Sequence, residues 1–486
     1  MCFKKQYILF SVSLLLCVLK TAAQINTLYL NHKLPQSLHL NPAVGLNCES
    51  FVELPLISSI YFGYHNNLFS YKEFLYQPPF AEENNFIDFN TLIDNASRNN
   101  RMAFTSNVTL LGGGFEYDDY YISGRIAFHL FAASGLPDDF FKATDGNWDL
   151  NTDQPRDFNL GNSFLTLQAF TEFSVAVSTF YGEKLRVGAR LKYLQGAANI
   201  HTRTSDISVD TEDNPLTLTA NSNIDIRSAI PMQVTQDASG FVNGIDFDAV
   251  SESPLQNYFF NKNRGIALDA GVVYEYTDAV QFSASALNLG FIRWKSNVQS
   301  LKQDASFTFN GIDLNNLAAN TTDQDVINAL EDSLRNHFYL SNNADPYFTL
   351  LPLQLMGGIQ YHFMEKLYAG LTGRTDIHNG NFYPSVTFSM RYNPVSNLHV
   401  IGSYSIMNQS FNNIGGGAMV TAGYFQFYFF TDMMPVQYAR DTASGILVPY
   451  HARTMNFHLG INLLFRCSDD NGYRKGGRGK VCPAYN

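Results

Sequence analysis

Residues 265–277 read Gly265-Ile266-Ala267-Leu268-Asp269-Ala270-Gly271-Val272-Val273-Tyr274-Glu275-Tyr276-Thr277. Ile266, Leu268, Ala270, Val272, Tyr274 and Tyr276 share one face of an extended chain, and Asp269, Gly271, Glu275 and Thr277 share the other. Side chains of a strand alternate between its two sides, so this stretch is a strand with one apolar and one wet face. The pattern recurs from Leu185 to Tyr193, where Arg186, Arg190 and Lys192 oppose Leu185, Val187, Ala189, Leu191 and Tyr193. It recurs again in 384–392, where Ser385, Thr387, Ser389 and Arg391 oppose Pro384, Val386, Phe388, Met390 and Tyr392. In 456–466, Asn456, His458, Asn462 and Arg466 oppose Phe457, Leu459, Ile461, Leu463 and Phe465.

Alternation alone suits a soluble sandwich as well as a membrane barrel, and the connections decide between them. Strands are expected near 50–63, 102–116, 119–134, 164–181, 185–200, 265–277, 280–294, 347–363, 366–378, 382–393, 397–408, 411–421, 424–432 and 453–466. Tight turns at Asp118-Asp119, Gly182-Glu183-Lys184, Thr277-Asp278-Ala279, Met364-Glu365-Lys366, Pro394 to Asn397 and Ala422-Gly423 alternate with the other links. Those others are long at 64–101, 135–163, 201–264, 295–346 and 433–452, and brief near 378–381 and 408–410. Short turns at one end and larger loops at the other describe an all-β fold: an antiparallel transmembrane β-barrel of 14 strands, with both termini on the turn side. Hydrocarbon offers no water to a backbone amide, so a spanning sheet must close on itself.

Composition agrees. Charged residues make up 15% of the 486, aromatics 14%, and mean hydropathy is −0.13, which excludes a bundle of apolar helices. Net charge is −11 and falls further once the leader's lysines are gone, so nucleic acid is not an expected partner. Residues 1–23 carry Lys4 and Lys5, an apolar run from Tyr7 to Leu19, and Thr21-Ala22-Ala23 before Gln24, the form of a cleaved secretory signal. The remaining cysteines are Cys48, Cys467 and Cys482, and an oxidising compartment favours pairing two of them. Cys467–Cys482, closing the basic tail 467–486, is the expected bond; Cys48–Cys467, clasping the first strand to the last, is the alternative.

Gln36-Ser37, Asn41-Pro42-Ala43, Glu53-Leu54-Pro55, the run Leu289 to Trp294, Tyr428 to Asp432, Cys467 and Cys482-Pro483 together resemble an uncharacterised family of Bacteroidota outer-membrane barrels, a domain of unknown function. The plug motif Asn41, Pro42 and Ala43 also resembles the long-chain fatty-acid transporter superfamily and the related type IX secretion barrels. That resemblance implies 14 strands, an amino-terminal segment at 24–48 lodged in the lumen, a barrel over 49–466, and a lateral opening between strands as a route.

With apolar faces toward outer-membrane lipid, the wet faces supply lumen-lining candidates: Arg125, His129, Glu172, Arg186, Arg190, Lys192, Asp269, Glu275, Arg374, Arg391, His458 and Arg466. Basic residues predominate among them. Either they attract a carboxylate or phosphate ligand, or they pair with one another and the plug, the commoner fate of buried charge. Aromatics near strand ends, namely Tyr61, Phe62, Tyr120, Tyr121, Trp294, Tyr361, Phe363, Tyr424 and Phe430, suit interfacial girdles or ordinary strand usage. Val326, Ile327, Leu330, Leu334 and Phe338 lie at helical spacing, and 86–96 forms a shorter candidate helix, so short helices are expected in the external loops. Asp145, Asn147, Asp149, Asn151 and Asp153 alternate, but Leu150 stands where a calcium loop needs glycine. Gly112-Gly113-Gly114 and Gly415-Gly416-Gly417 lack the ending of a phosphate loop. No metal cluster, cofactor motif or catalytic grouping emerges, so no enzyme, metal or cofactor is expected. The expectation is a barrel that binds or passes a small, hydrophobic or amphipathic molecule, or a docking component for envelope or secretion-complex proteins.

Overall fold

The computed structural model describes residues 26–67, 75–76, 86–87, 93, 96–98, 100–143, 146–149, 152–212, 217–230, 233–236, 242–246, 260–309, 341–343, 345–378, 380–407, 410–434, 438–440, 447–449 and 454–467. The leader, the basic tail and the helix expected at 323–338 lie outside them.

Fourteen strands form the wall. They are β1 in two pieces (Cys48–Glu53, Ile60–Asn66), β2 (Asn100–Tyr117), β3 (Tyr120–Leu136), β4 (Phe164–Tyr181), β5 (Leu185–Thr211), β6 (Arg264–Glu275) and β7 (Val280–Trp294). They continue as β8 in two pieces (Tyr347–Leu350, Leu353–Met364), β9 (Leu367–His378), β10 (Asn381–Val395), β11 (Leu398–Met407), β12 (Ser410–Ala422), β13 (Phe425–Thr431) and β14 (Thr454–Cys467). Each pairs antiparallel with its sequence neighbours, and β14 returns to both pieces of β1. The wall therefore closes without a free edge. The six short turns lie at one end; the other end carries the long links and two brief ones, between His378 and Asn381 and between Met407 and Ser410.

Parity settles what faces where. On β5, Arg186, Arg190 and Lys192 are buried while Leu191 is 66% exposed; on β6, Asp269 is buried while Ile266, Leu268 and Val272 are exposed. The apolar faces point outward, the reverse of a soluble protein. Tyr117, Tyr120, Tyr181, Tyr276, Tyr361, Phe363, Tyr392 and Tyr424 flank the short turns and are exposed, forming an aromatic ring around that end. Tyr61, Tyr121, Trp294 and Phe430 do not belong to any such ring. Their parity turns them inward, and Trp294 and Phe430 are fully buried.

Two links differ from expectation. β5 runs on past the wall to Thr211, pairs there with Leu218–Ala229, and that strand pairs with Val298–Phe309. The sequence reading left this flange inside a loop, although Leu218, Ala220, Ile224 and Ile226 alternate with Thr219, Asn221, Asn223 and Asp225. Phe86–Ile87, placed in a helix by the sequence reading, instead pairs with Leu75–Tyr76 as a short ribbon. A five-residue helix, Asp138–Lys142, does occupy the β3–β4 link.

The disulfide joins Cys48 to Cys467, not Cys467 to Cys482. Closure makes β1 and β14 neighbours, and their register sets Cys48 directly opposite Cys467. Cys482 lies outside the described residues.

Residues 26–47 run through the barrel interior. Their backbone folds into successive tight turns, Asn26 to Tyr29, Leu28 to Asn31, Asn31 to Leu34 and Leu34 to Ser37, then one helical turn at Ser37–Leu40. A chain enclosed by a wall must satisfy its own amides, and these turns do so locally. Leu28 and Leu34 pack on Ile401, Met419 and Phe430; Leu38, Ala43 and Val44 pack on Phe51, Tyr121 and Val273; Tyr29 and Leu30 pack on Leu287 and Met356. Each fully buried leucine contributes about 1.5–3 kcal/mol.

Candidate functional site

Asn41, Pro42 and Ala43 sit against the wall between β6 and β7. Asn41 Nδ2 donates to the carbonyls of Val272 (3.2 Å) and Ala284 (3.4 Å), and its Oδ1 accepts from the Ala43 amide (2.9 Å). This Asx turn needs an amide side chain with both a donor and an acceptor. Room for it comes from missing side chains. A Cβ on Gly188 would stand 2.6 Å from the Ala43 nitrogen, and one on Gly271 would collide with Asn41. Further bonds hold the segment at its start and its middle: the Asp432 carboxylate accepts from the Asn26 and Thr27 amides, and Asn462 Nδ2 donates to Gln36 Oε1 (2.9 Å).

Six of the lumen candidates form one cluster on β3 to β6. Glu172 lies 2.9 Å from Arg125 Nη2, 3.1 Å from His129 Nε2 and 3.5 Å from Lys192 Nζ. Asp269 takes Lys192 at 2.9 Å and Arg190 at 3.1 Å. Arg190 also donates to the carbonyls of Leu38 (2.6 Å) and His39 (3.3 Å), tying the cluster to the inner segment. Adjacent to it, Glu53 accepts from Gln36 (2.8 Å) and pairs with His39 (3.2 Å). Neutralised in this way, the cluster braces the segment against the wall.

The other candidates are dispersed. Arg186 donates to Ser178 (3.0 Å) and lies over Phe180. Arg374 makes a bidentate pair with Asp376 (2.9 and 3.0 Å). Arg391 stacks 4.1 Å from the Tyr368 ring centre and reaches Asn31. His458 bonds Ser59 (2.8 Å). Glu275 is half-buried at the turn-side end of β6. Arg466 is not lumenal: a φ of +50° turns it out at the rim, where its side chain is 82% exposed and pairs with Glu49.

On the loop side of the inner segment lies a cavity of about 160 Å³. Leu28, Gln36, His39 and Leu40 form its floor. Its wall is partly apolar (Leu130, Phe131, Phe170, Leu287) and partly polar (Arg101, Asn107, Gln354, His378). Sequence reading missed Arg101, Asp376 and His378. Arg101 falls one position before the expected start of its strand; Asp376 and His378 share the inward parity of Arg374 and were recoverable from it. Asp149 and Asp153, on the alternating acidic loop, engage Arg156 and Trp148.

Fold and site together define a closed 14-stranded barrel with residues 26–47 packed against its inner face and a small mixed cavity beside them. The chain belongs to a family of unknown function (DUF5723), whose profile matches residues 42–432. No curated protein matches it. Among solved structures it is similar to the toluene transporter TbuX of Ralstonia pickettii (10% identity, 89% of this chain and 94% of that one, TM-score 0.40). It is also similar to a Pseudomonas aeruginosa FadL homologue (10%, 89% and 94%, TM-score 0.40). A third is the toluene transporter TodX of Pseudomonas putida (8%, 92% and 98%, TM-score 0.34).

Proposed function

We propose that this protein is an outer-membrane barrel that binds a small hydrophobic or amphipathic molecule in the loop-side cavity and passes it onward, with residues 26–47 as a plug. The observation that carries this reading is the cavity itself, where aliphatic and aromatic side chains meet a larger set of polar and charged ones, so that an apolar body and a polar group can both be held. Its volume of about 160 Å³ fits a single-ring guest and not a long chain. The outward apolar faces and the turn-side aromatic ring support an outer-membrane setting.

Benzyl alcohol has the right size for a first probe. Titrated into the detergent-solubilised protein, it should bind saturably at one site and perturb the fluorescence of buried Trp294, which packs with the cavity residue Phe170. Absence of saturable binding would remove the cavity as a ligand site.

A second reading, a docking barrel for envelope proteins, is favoured by the flange at 218–229 and 298–309, which extends the sheet past the wall. It predicts a stoichiometric protein partner after mild-detergent purification, lost when the flange is shortened.

A further inference from the structure

Most basic side chains of the lumen are matched. Arg125, Arg190 and Lys192 share Glu172 and Asp269, and Arg374 holds Asp376 with both ends of its fork. Arg101, on β2 at the loop-side wall of the cavity, is different. It is only 8% exposed, yet among the described residues its side chain has neither a carboxylate at ion-pair distance nor a hydrogen-bond acceptor, and its Nε is buried without a partner. Instead its guanidinium lies 4.0 Å from the centre of the Tyr383 ring and 5.7 Å from that of Phe164. Asp376 acts on it electrostatically, but that carboxylate is already engaged by Arg374.

His378 lines the same cavity. It is buried, packs edge-on to Phe131, and its Nε2 also lacks a partner. An arginine held flat on an aromatic ring keeps its N–H edge free for a planar acceptor, and leaving it buried and unpaired is costly. One fork, one further imidazole nitrogen and a ring-sized chamber with apolar side chains on one part of its wall match one chemical class.

We infer that the cavity selects a small aromatic carboxylate, its anionic head on the Arg101 fork with His378 beside it and its ring against Phe131, Phe170 and Leu130. A carboxylate accepts two parallel N–H bonds from guanidinium, and an uncharged isostere leaves that demand unmet. This inference rests on the proposed cavity function and adds the charge of the ligand to it.

Calorimetric titration of the full-length, detergent-solubilised protein with sodium benzoate and with benzyl alcohol separates the two. Benzoate should bind at least about tenfold tighter, the effect of a charge-assisted pair. Arg101→Gln should erase that preference, while Arg101→Lys, a point charge without the fork, should retain part of it. Equal wild-type affinities, or a preference that survives Arg101→Gln, would overturn the inference and leave the cavity function standing. Binding of neither compound would overturn both. The wild-type comparison requires no variant, so a folding failure of Arg101→Gln does not blunt the test.

Discussion

Glu172 shows how single residues hold this lumen together. It is 1% exposed and faces Arg125, His129 and Lys192, so its removal leaves cations buried with too little countercharge. Glu172→Leu should destabilise the barrel by about 3 kcal/mol or more. Urea unfolding followed by the loss of heat-modifiable gel mobility measures this, and wild-type behaviour would show that the cluster is dispensable. The parity of β4 and β5 in the sequence already placed Glu172, Arg190 and Lys192 on the wet side. Which cation meets which carboxylate was not legible, because that depends on register between strands whose intervening links vary in length.

Elements act here through closure. β1 and β14 are sealed by the Cys48–Cys467 bond across a sequence separation of 419 residues. Cys48→Ser, or prior reduction, should lower resistance to thermal unfolding by about 2–4 kcal/mol equivalent, read as a lower temperature for the gel shift; an unchanged temperature would mean that pairing of the strands alone closes the seam. Cysteine spacing favoured a tail loop, since a short separation is the cheaper closure, but barrel closure cancels chain distance. β1 carries a second element-scale feature. Its two pieces are separated by Leu54 to Ser59, where Leu56 adopts φ +65° and Leu56 and Ile57 are exposed, while Glu53 remains buried at the inner face. The single strand expected at 50–63 is thus interrupted, Leu54 to Ser59 standing opposite only Thr109 to Leu111.

The whole molecule presents oil outside and charge inside. Leu191 and Leu371, 66% and 47% exposed on outward faces, should not tolerate arginine: each change costs about 2–4 kcal/mol if that face meets hydrocarbon near the midplane. Assembly into lipid vesicles scored by protease resistance tests this, and unimpaired assembly of Leu191→Arg would argue against a lipid-facing wall. The interior makes its own prediction. Deleting residues 26–46 should leave a folded barrel with markedly higher ion conductance in planar bilayers than the complete chain, because the segment is buried inside the wall; equal conductance would show that it does not seal the lumen.

Alternation of apolar and polar residues, together with alternation of short and longer links, was sufficient to determine the strand count, the closed architecture and the direction of most faces. Those are local or nearest-neighbour properties, written in period two and in connection length. Tertiary structure alone decided the Cys48–Cys467 pairing, the burial of Trp294 and Phe430, the flange beyond the wall and the isolation of Arg101 within the cavity. Each of these depends on contacts between residues far apart in the chain, which become neighbours only once the sheet has closed around its own amino-terminal segment.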